Sequence, residues 1–381
     1  TTASIMMMNG TAVNGISQLR TASGTTLTLG QVIYKVSSVE TPDKKVNVGS
    51  TWKDSASEAI GKNLTYRVTQ KIPNWTGYDH YYLALNDTLG TGLDYGSLTS
   101  ITVGGKALAS TFYKENVNGK TISWLFGING DILASDASKA ALPVGATITV
   151  TYTATLNENA VVGGAGNVNS ATIQYSNDPS STGTGESEPD KVRVFTYGFT
   201  VDKYTGDNYN DAATRLAGAE FTLTAKGDTS AIKFVQVNAG SATEDAVYRV
   251  AKAGETAGTT TTITTPANGK VVFQGLKNGE YTLTETKAPA GYNKLASAIG
   301  VKVNGSNDGT DTTNATVNIT YNNDNNDTTY DQTASNGVIP VQNKSGAILP
   351  GTGGMGTIAF TVIGVLVIAL GVAWTLKRKN A

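Results

Sequence analysis

Nucleophilic chemistry in this chain has to come from amines and hydroxyls. Cysteine is absent from its 381 residues and histidine occurs once, as His80. Disulfides, thiolate nucleophiles, Cys-ligated zinc and iron–sulfur clusters are thereby excluded. A Ser-His-Asp triad or a histidine-rich metal site would rest on one residue. Lysines on apolar faces are the more promising reagents. Lys203 shares a strand face with Phe199 and Val201, and Lys44 shares one with Val46 and Val48, which favours it over Lys45. A lysine turned into a core loses hydration, and its amine is driven toward the neutral, nucleophilic form. A second stretch to note is Leu349-Pro350-Gly351-Thr352-Gly353, where Pro350 enforces an extended, bent backbone able to lie in an enzyme's groove.

The elements that must position these residues are strands. Thr makes up 56 of the 381 residues, Gly 43, and charged residues only 15%; β-branched side chains crowd a helix and fit a pleated sheet. Leu64, Tyr66, Val68 and Ile72 alternate with polar neighbours, as do Ile148, Val150, Tyr152, Ala154 and Leu156 with five threonines; both runs read as half-buried strands. Ala171, Ile173 and Tyr175 continue the pattern, and Asn169 has the same parity. A weaker strand-like run is Gln31-Val32-Ile33-Tyr34. Residues 177–190 are rich in Pro, Gly and Ser and read as a break. One long strand is expected from Val192 to Lys203. Short strands follow at 221–225, 232–237, 270–274, 280–285, 298–303, 315–321 and 338–343, a sandwich pattern. Residues 322–336 are polar, and their ligand spacing is wrong for a calcium loop.

Thr357 to Leu376 carry no charge over 20 residues, and Lys377, Arg378 and Lys379 follow. Such a run spans a bilayer as a helix, with the basic cluster on the cytoplasmic side and the bulk of the chain outside. The expected fold is all-β: tandem immunoglobulin-like β-sandwiches followed by a C-terminal transmembrane helix at 357–376. The balance of 29 basic and 30 acidic residues, net charge −1, gives no surplus for a nucleic-acid backbone. The chain opens Thr1-Thr2-Ala3-Ser4 without a charged and then apolar leader, so a processed or truncated N-terminus is expected.

The order of Leu349–Gly353, apolar span and basic tail resembles a Gram-positive sortase substrate of the LPxTG type. That resemblance implies attack by a sortase cysteine at the Thr352 carbonyl, release of Gly353 onward, and transfer of Thr352 to an amine of peptidoglycan or of another subunit. Ala217-Gly218-Ala219-Glu220-Phe221-Thr222-Leu223 and the run from Tyr281 to Tyr292 (YTLTETKAPAGY) resemble the "LAGAxFTL" strand and "E-box" of major pilins, in a collagen-adhesin B-type domain over 191–347. Pro42 to Asn47, Asn86 to Leu93 and Asn167 to Thr172 resemble the fimbrial isopeptide-forming middle domain, over 41–190. Residues 1–40 are expected to be the remnant of a truncated domain, and 348–381 the sorting signal.

The pilin resemblance implies an intramolecular Lys–Asn amide in each domain. In the second it assigns Lys203 as amine, Asn343 as acceptor and Glu285 as promoting acid. In the first it assigns Lys44, Asn169 and Asp87, with Asn177 left open as an alternative acceptor. A carboxylic acid in an apolar box keeps its proton, polarises the carboxamide and shuttles protons, and the amide forms with loss of ammonia. The family's inter-subunit lysine lies in a "YPKN"-like motif before the middle domain; Val32-Ile33-Tyr34-Lys35-Val36 occupies that place without the Pro and the Asn, which makes Lys35 the candidate. The implied function is structural: a subunit of a sortase-assembled pilus on a Gram-positive cell wall, not an enzyme beyond single-turnover self-modification. The implied partners are sortase, peptidoglycan and other pilin subunits, with the membrane only in the precursor and no cofactor or metal. The alternative is a wall-anchored adhesin or accessory pilin that grips a host or microbial ligand.

Overall fold

A computed structural model describes residues 39–179, 182–307, 309–310, 313–323 and 327–346, together with three short strands, Thr11–Ala12, Gln18–Arg20 and Thr26–Thr28, which pair into an antiparallel sheet. The 31–34 run, Lys35, the Leu349–Gly353 motif and the 357–376 span lie outside the described residues. Among the described residues no helix is long and apolar enough to cross a membrane.

Two β-sandwiches follow one another. In the first, one sheet has the order Lys106–Ala107, Leu93–Val103, Thr147–Leu156, Asn63–Lys71, Asp43–Val48, Thr51–Lys53. The facing sheet runs Tyr113–Asn118, Thr121–Phe126, Leu83–Leu89, Asn167–Ser176, Asp190–Phe195, Ser55–Ser57, and Thr184–Glu186 pairs with Asn167–Ser176. The alternation anticipated for the two clearest strands is present: in Thr147–Leu156 every second side chain from Ile148 is buried while the threonines lie on the outer face. Period-two patterning of this kind buries one face and solvates the other. Trp124, Tyr66 and Tyr152 are fully buried between the sheets. Truncating an aromatic of this size in a packed core costs about 3–5 kcal/mol.

The second sandwich has one sheet in the order Thr259–Thr260, Phe234–Asn238, Ala246–Val250, Lys270–Leu276, Tyr197–Tyr204, Val338–Gln342, and another in the order Ile263–Thr264, Glu220–Ala225, Gly279–Lys287, Ile299–Gly305, Val317–Asn322, Gln332–Thr333. Tyr197–Tyr204 and Val338–Gln342 pair in parallel, with Lys203 opposite Val341. The core is built on Phe199, Phe221, Phe234 and Phe273.

The single strand expected over 192–203 is divided. Asp190–Phe195 pairs with Asn167–Ser176 in the first sandwich, whereas Tyr197–Tyr204 pairs with Lys270–Leu276 in the second. The chain crosses at Thr196, whose hydroxyl donates to the Leu276 carbonyl at 3.1 Å. Apolar residues continue through the crossing because Val192 and Val194 are buried in the first core and Phe195, Tyr197, Phe199 and Val201 in the second, so no break shows in the pattern. The break read at 177–190 likewise contains the Thr184–Glu186 strand. Segment 54–62 ties the sandwiches together. Glu58 N donates to Phe195 O, Ile60 N to Gly275 O and Asp54 N to Gly309 O, and the Ile60 side chain belongs to the second core.

Candidate functional site

Among the described residues each sandwich buries a single lysine, and beside it lie a buried acid and a buried asparagine. Lys44, Asp87, Asn169, Lys203, Glu285 and Asn343 are all at most 3% exposed, although groups of this kind are seldom fully buried without partners.

In the first sandwich Lys44 enters from the Asp43–Val48 strand, on the face shared with Val46. Asp87 and Asn169 come from the opposite sheet, on the neighbouring strands Leu83–Leu89 and Asn167–Ser176, where Asn169 is opposite Leu89 and Ala171 is opposite Asp87. Lys44 Nζ contacts Asp87 Oδ2 and donates to the Tyr152 hydroxyl at 2.5 Å. That hydroxyl donates to Asp87 Oδ2 at 2.8 Å and accepts from Asn169 Nδ2 at 2.8 Å. The amine also lies 5.3 Å from the Tyr66 ring centre and 5.1 Å from that of Tyr152. Burial pushes the Lys44 ammonium down and the Asp87 carboxyl up, each opposed by the attraction of the other. Both shifts favour the neutral amine beside the protonated acid.

In the second sandwich the grouping is different. Lys203 and Asn343 share one sheet: Lys203 is on Tyr197–Tyr204, and Asn343 follows Val338–Gln342, with its backbone N–H donating to Tyr204 O at 3.0 Å. Glu285 reaches across from Gly279–Lys287. Lys203 Nζ is 3.4 Å from Glu285 Oε1 and donates to the Val341 carbonyl at 3.1 Å. Asn343 Nδ2 donates to Glu285 Oε2 at 3.0 Å and to the Asn293 carbonyl at 2.9 Å. Leu295 N holds the same carboxylate oxygen at 2.8 Å. Burial lowers the Lys203 ammonium to about 8, opposed by Glu285, so roughly a tenth of the amine is neutral at about pH 7.

The corresponding oxygens accept no hydrogen bond in either site: Asp87 Oδ1 and Asn169 Oδ1 in one, Glu285 Oε1 and Asn343 Oδ1 in the other. Buried polar atoms are normally paired.

The structure therefore brings Lys44, Asp87 and Asn169 together, and Lys203, Glu285 and Asn343. It does not bring Asn177 to Lys44. Asn177 follows the far end of the Asn167–Ser176 strand, where its N–H donates to Gly183 O at 3.3 Å; eight residues along a strand separate it from Asn169 by roughly 26 Å. Lys45 points outward to Asp43 and Asp54. Sequence reasoning overlooked Tyr152 as a site residue. Its inward parity was visible, and a buried tyrosine hydroxyl requires a partner, but the partner is contributed by strands distant in sequence. Among the described residues no three His, Asp or Glu side chains cluster as metal ligands.

Comparison with known proteins agrees with this architecture. Residues 60–179 match the family described as Gram-positive pilin backbone subunit 2, Cna-B-like domain. Residues 206–320 match a prealbumin-like fold domain, and 341–381 match the LPXTG cell wall anchor motif. The trypsin-resistant surface T6 protein of Streptococcus pyogenes is 24% identical over 291 residues, which are 69% of this chain and 45% of that protein; the chain thus spans about half the length of this relative. The crystal structure of a 35 kDa C-terminal fragment of the major pilin GBS80 of Streptococcus agalactiae superposes with a TM-score of 0.53 at 21% identity, covering 80% of this chain and 99% of that one. That likeness is one of fold. The T6 backbone pilin of serotype M6 Streptococcus pyogenes gives a TM-score of 0.49 at 17% identity, over 81% of this chain and 70% of that one. A pilin backbone domain match, a prealbumin-like domain match and a wall-anchor motif match thus follow one another along the chain, the arrangement of a surface protein fastened to a Gram-positive cell wall through an LPXTG motif.

Proposed function

We propose that the chain is a shaft subunit of a covalently assembled pilus, and that each of its sandwiches is closed by an internal amide, Lys44 to Asn169 and Lys203 to Asn343, promoted by Asp87 and Glu285. The observation that carries this reading is the pair of buried sites in which a desolvated amine stands beside one acid, with the carboxamide joined to that acid directly at Glu285 and through the Tyr152 hydroxyl at Asp87. In each, the lysine Nζ attacks the asparagine Cγ. The new C–N bond forms, one proton passes from Nζ to Nδ2, the C–Nδ2 bond breaks and ammonia leaves. The acid polarises the carboxamide as negative charge develops on its oxygen, Glu285 directly and Asp87 through the Tyr152 hydroxyl.

Residues 41–190 and 191–347 then serve as stalk modules in a chain without cysteine. The sorting signal at 348–381 hands Thr352 to a sortase, which cuts after it within Leu349–Gly353 and joins it to Lys35 of the next subunit or to peptidoglycan. The test is the intact mass of a chain ending at Thr352, made without the residues a sortase would remove. It should fall short of the sequence mass by about 34 Da, two losses of about 17 Da of ammonia, and Lys203→Ala should recover half of the deficit. A full-mass chain overturns the amide reading. High-molecular-weight ladders in wall extracts that persist after Lys35→Ala would overturn the assignment of the inter-subunit lysine.

A further inference from the structure

We propose that Tyr152 is a catalytic residue of the first sandwich's amide, its hydroxyl carrying the proton from Lys44 Nζ to the departing Asn169 Nδ2 and supplying the reach that an aspartate lacks. The inference rests on the amide reading above and deepens it at one site.

The two acids differ by one methylene. Glu285 accepts directly from Asn343 Nδ2. Asp87 makes no hydrogen bond to Asn169; the Tyr152 hydroxyl stands between them, donating to the acid and accepting from the carboxamide nitrogen, both at 2.8 Å. The same hydroxyl accepts from Lys44 Nζ at 2.5 Å. It therefore touches the nitrogen that must lose a proton and the nitrogen that must gain one. Tyr152, Lys44, Asp87 and Asn169 are all completely buried, so the transfer has to run through side chains.

The fold holds this hydroxyl in place. Tyr152 sits mid-strand in Thr147–Leu156, opposite Tyr66. On its other side the pairing with Leu93–Val103 shifts register both before and after Tyr152, an irregularity of the kind that re-aims a side chain. The ring stacks on Tyr66 at 5.5 Å and packs against Trp124 at 5.2 Å and Tyr95 at 5.9 Å. Packing alone would be served by phenylalanine.

The step balances without a further reagent. When Nζ has bonded to Cγ, Nζ gives its proton to the Tyr152 oxygen while that oxygen's own proton moves to Nδ2. The C–Nδ2 bond breaks, ammonia departs, and the phenol is regenerated neutral. Burial and the neighbouring Asp87 hold the phenol's ionisation far above its ordinary range, which keeps it a proton donor between transfers.

The experiment compares the full chain with Tyr152→Phe and Asp87→Glu/Tyr152→Phe, following the Lys44–Asn169 cross-linked peptide by mass mapping after a pulse of synthesis, with the Lys203–Asn343 peptide as internal reference. Tyr152→Phe should slow the first bond by about 100-fold or more and leave the second unchanged. The longer glutamate should restore the first bond in the double variant, which also shows that the domain folds without the hydroxyl. A Tyr152→Phe chain that cross-links at the wild-type rate overturns the proposal while leaving the amide intact. A double variant that stays open overturns the argument from reach. A wild-type chain with no Lys44–Asn169 peptide overturns the amide reading itself.

Discussion

The two sandwiches assemble the same three side-chain types from opposite allegiances. In the first, acid and asparagine share a sheet and the lysine crosses the core to meet them; in the second, lysine and asparagine share a sheet and the acid crosses. The chemistry needs only that the groups meet in a dry place, so either partition serves. The mechanical outcome is not the same. A Lys203–Asn343 bond joins the parallel strands by which the chain enters and leaves its sandwich. A Lys44–Asn169 bond staples one sheet to the other, and the Asp190–Phe195 strand, through which the chain leaves, lies beyond it.

Pulling on the ends gives the sharpest way to break that comparison. The wild-type second sandwich should not lengthen under force, whereas Lys203→Ala should release its closed segment in a step of roughly 450–500 Å; equal extension in both proteins would remove the clamp. In the intact first sandwich, peeling residues 170–195 should give a smaller step of roughly 90 Å. Its absence would mean that Asp190–Phe195 is held by something other than strand pairing, such as Asp190 Oδ2, which accepts from Lys44 N at 2.6 Å.

Equilibrium stability should separate the sites less. Each bond closes a loop of more than 100 residues, worth on the order of 4–5 kcal/mol on the chain-entropy model. Asn169→Ala and Asn343→Ala should therefore both lower thermal stability strongly, read by calorimetry beside the intact-mass deficit. A difference between them of more than about 2 kcal/mol would show that the partition between sheets also affects the folded state.

The pH dependence of bond formation is a finer probe. With the Lys203 ammonium near 8, its neutral fraction rises with pH and levels off above that value. Chains synthesised in a cell-free system should close the second bond faster at about pH 9 than at about pH 6, by tenfold or more. A flat profile would mean that proton loss from Lys203 does not limit the reaction. The smallest effect is expected at Lys45. Its outward pairs with Asp43 and Asp54 are partly exposed and worth about 0–1 kcal/mol. Lys45→Ala should leave the mass deficit intact, and loss of the first bond in that variant would overturn the choice of Lys44.

Period-two alternation made much of this arrangement readable. It put Lys44, Asn169 and Lys203 on inward faces before any contact was known. It did not reveal the strand that carries Asp87, because Leu83, Ala84 and Leu85 are all buried and the alternation is lost where the strand sits mid-sheet. The Leu93–Val103 strand escaped for the opposite reason: mostly polar or glycine, with two register shifts, it shows little apolar rhythm. Parity also left Asn177 level with Asn169, since distance along a strand does not change which face a residue occupies. The crossing at Thr196 was hidden by two adjoining cores, and the role of Tyr152 depends on contacts 65 residues away at Asp87 and 108 away at Lys44.

The placement of Ile60 has a consequence for shape. It is part of the first unit's chain yet its side chain is seated among the apolar residues of the second, with Gly275 leaving it room: a Cβ there would come within 2.7 Å of Ile60 Cδ1. Flexing the elbow at Thr196 would pull that side chain into water at a cost of about 1.5–3 kcal/mol, several times the thermal energy. The neighbouring backbone ties from residues 54–62 would be stretched in the same motion. The junction between the two sandwiches is consequently braced by one buried isoleucine, and a bend there would have to expose it.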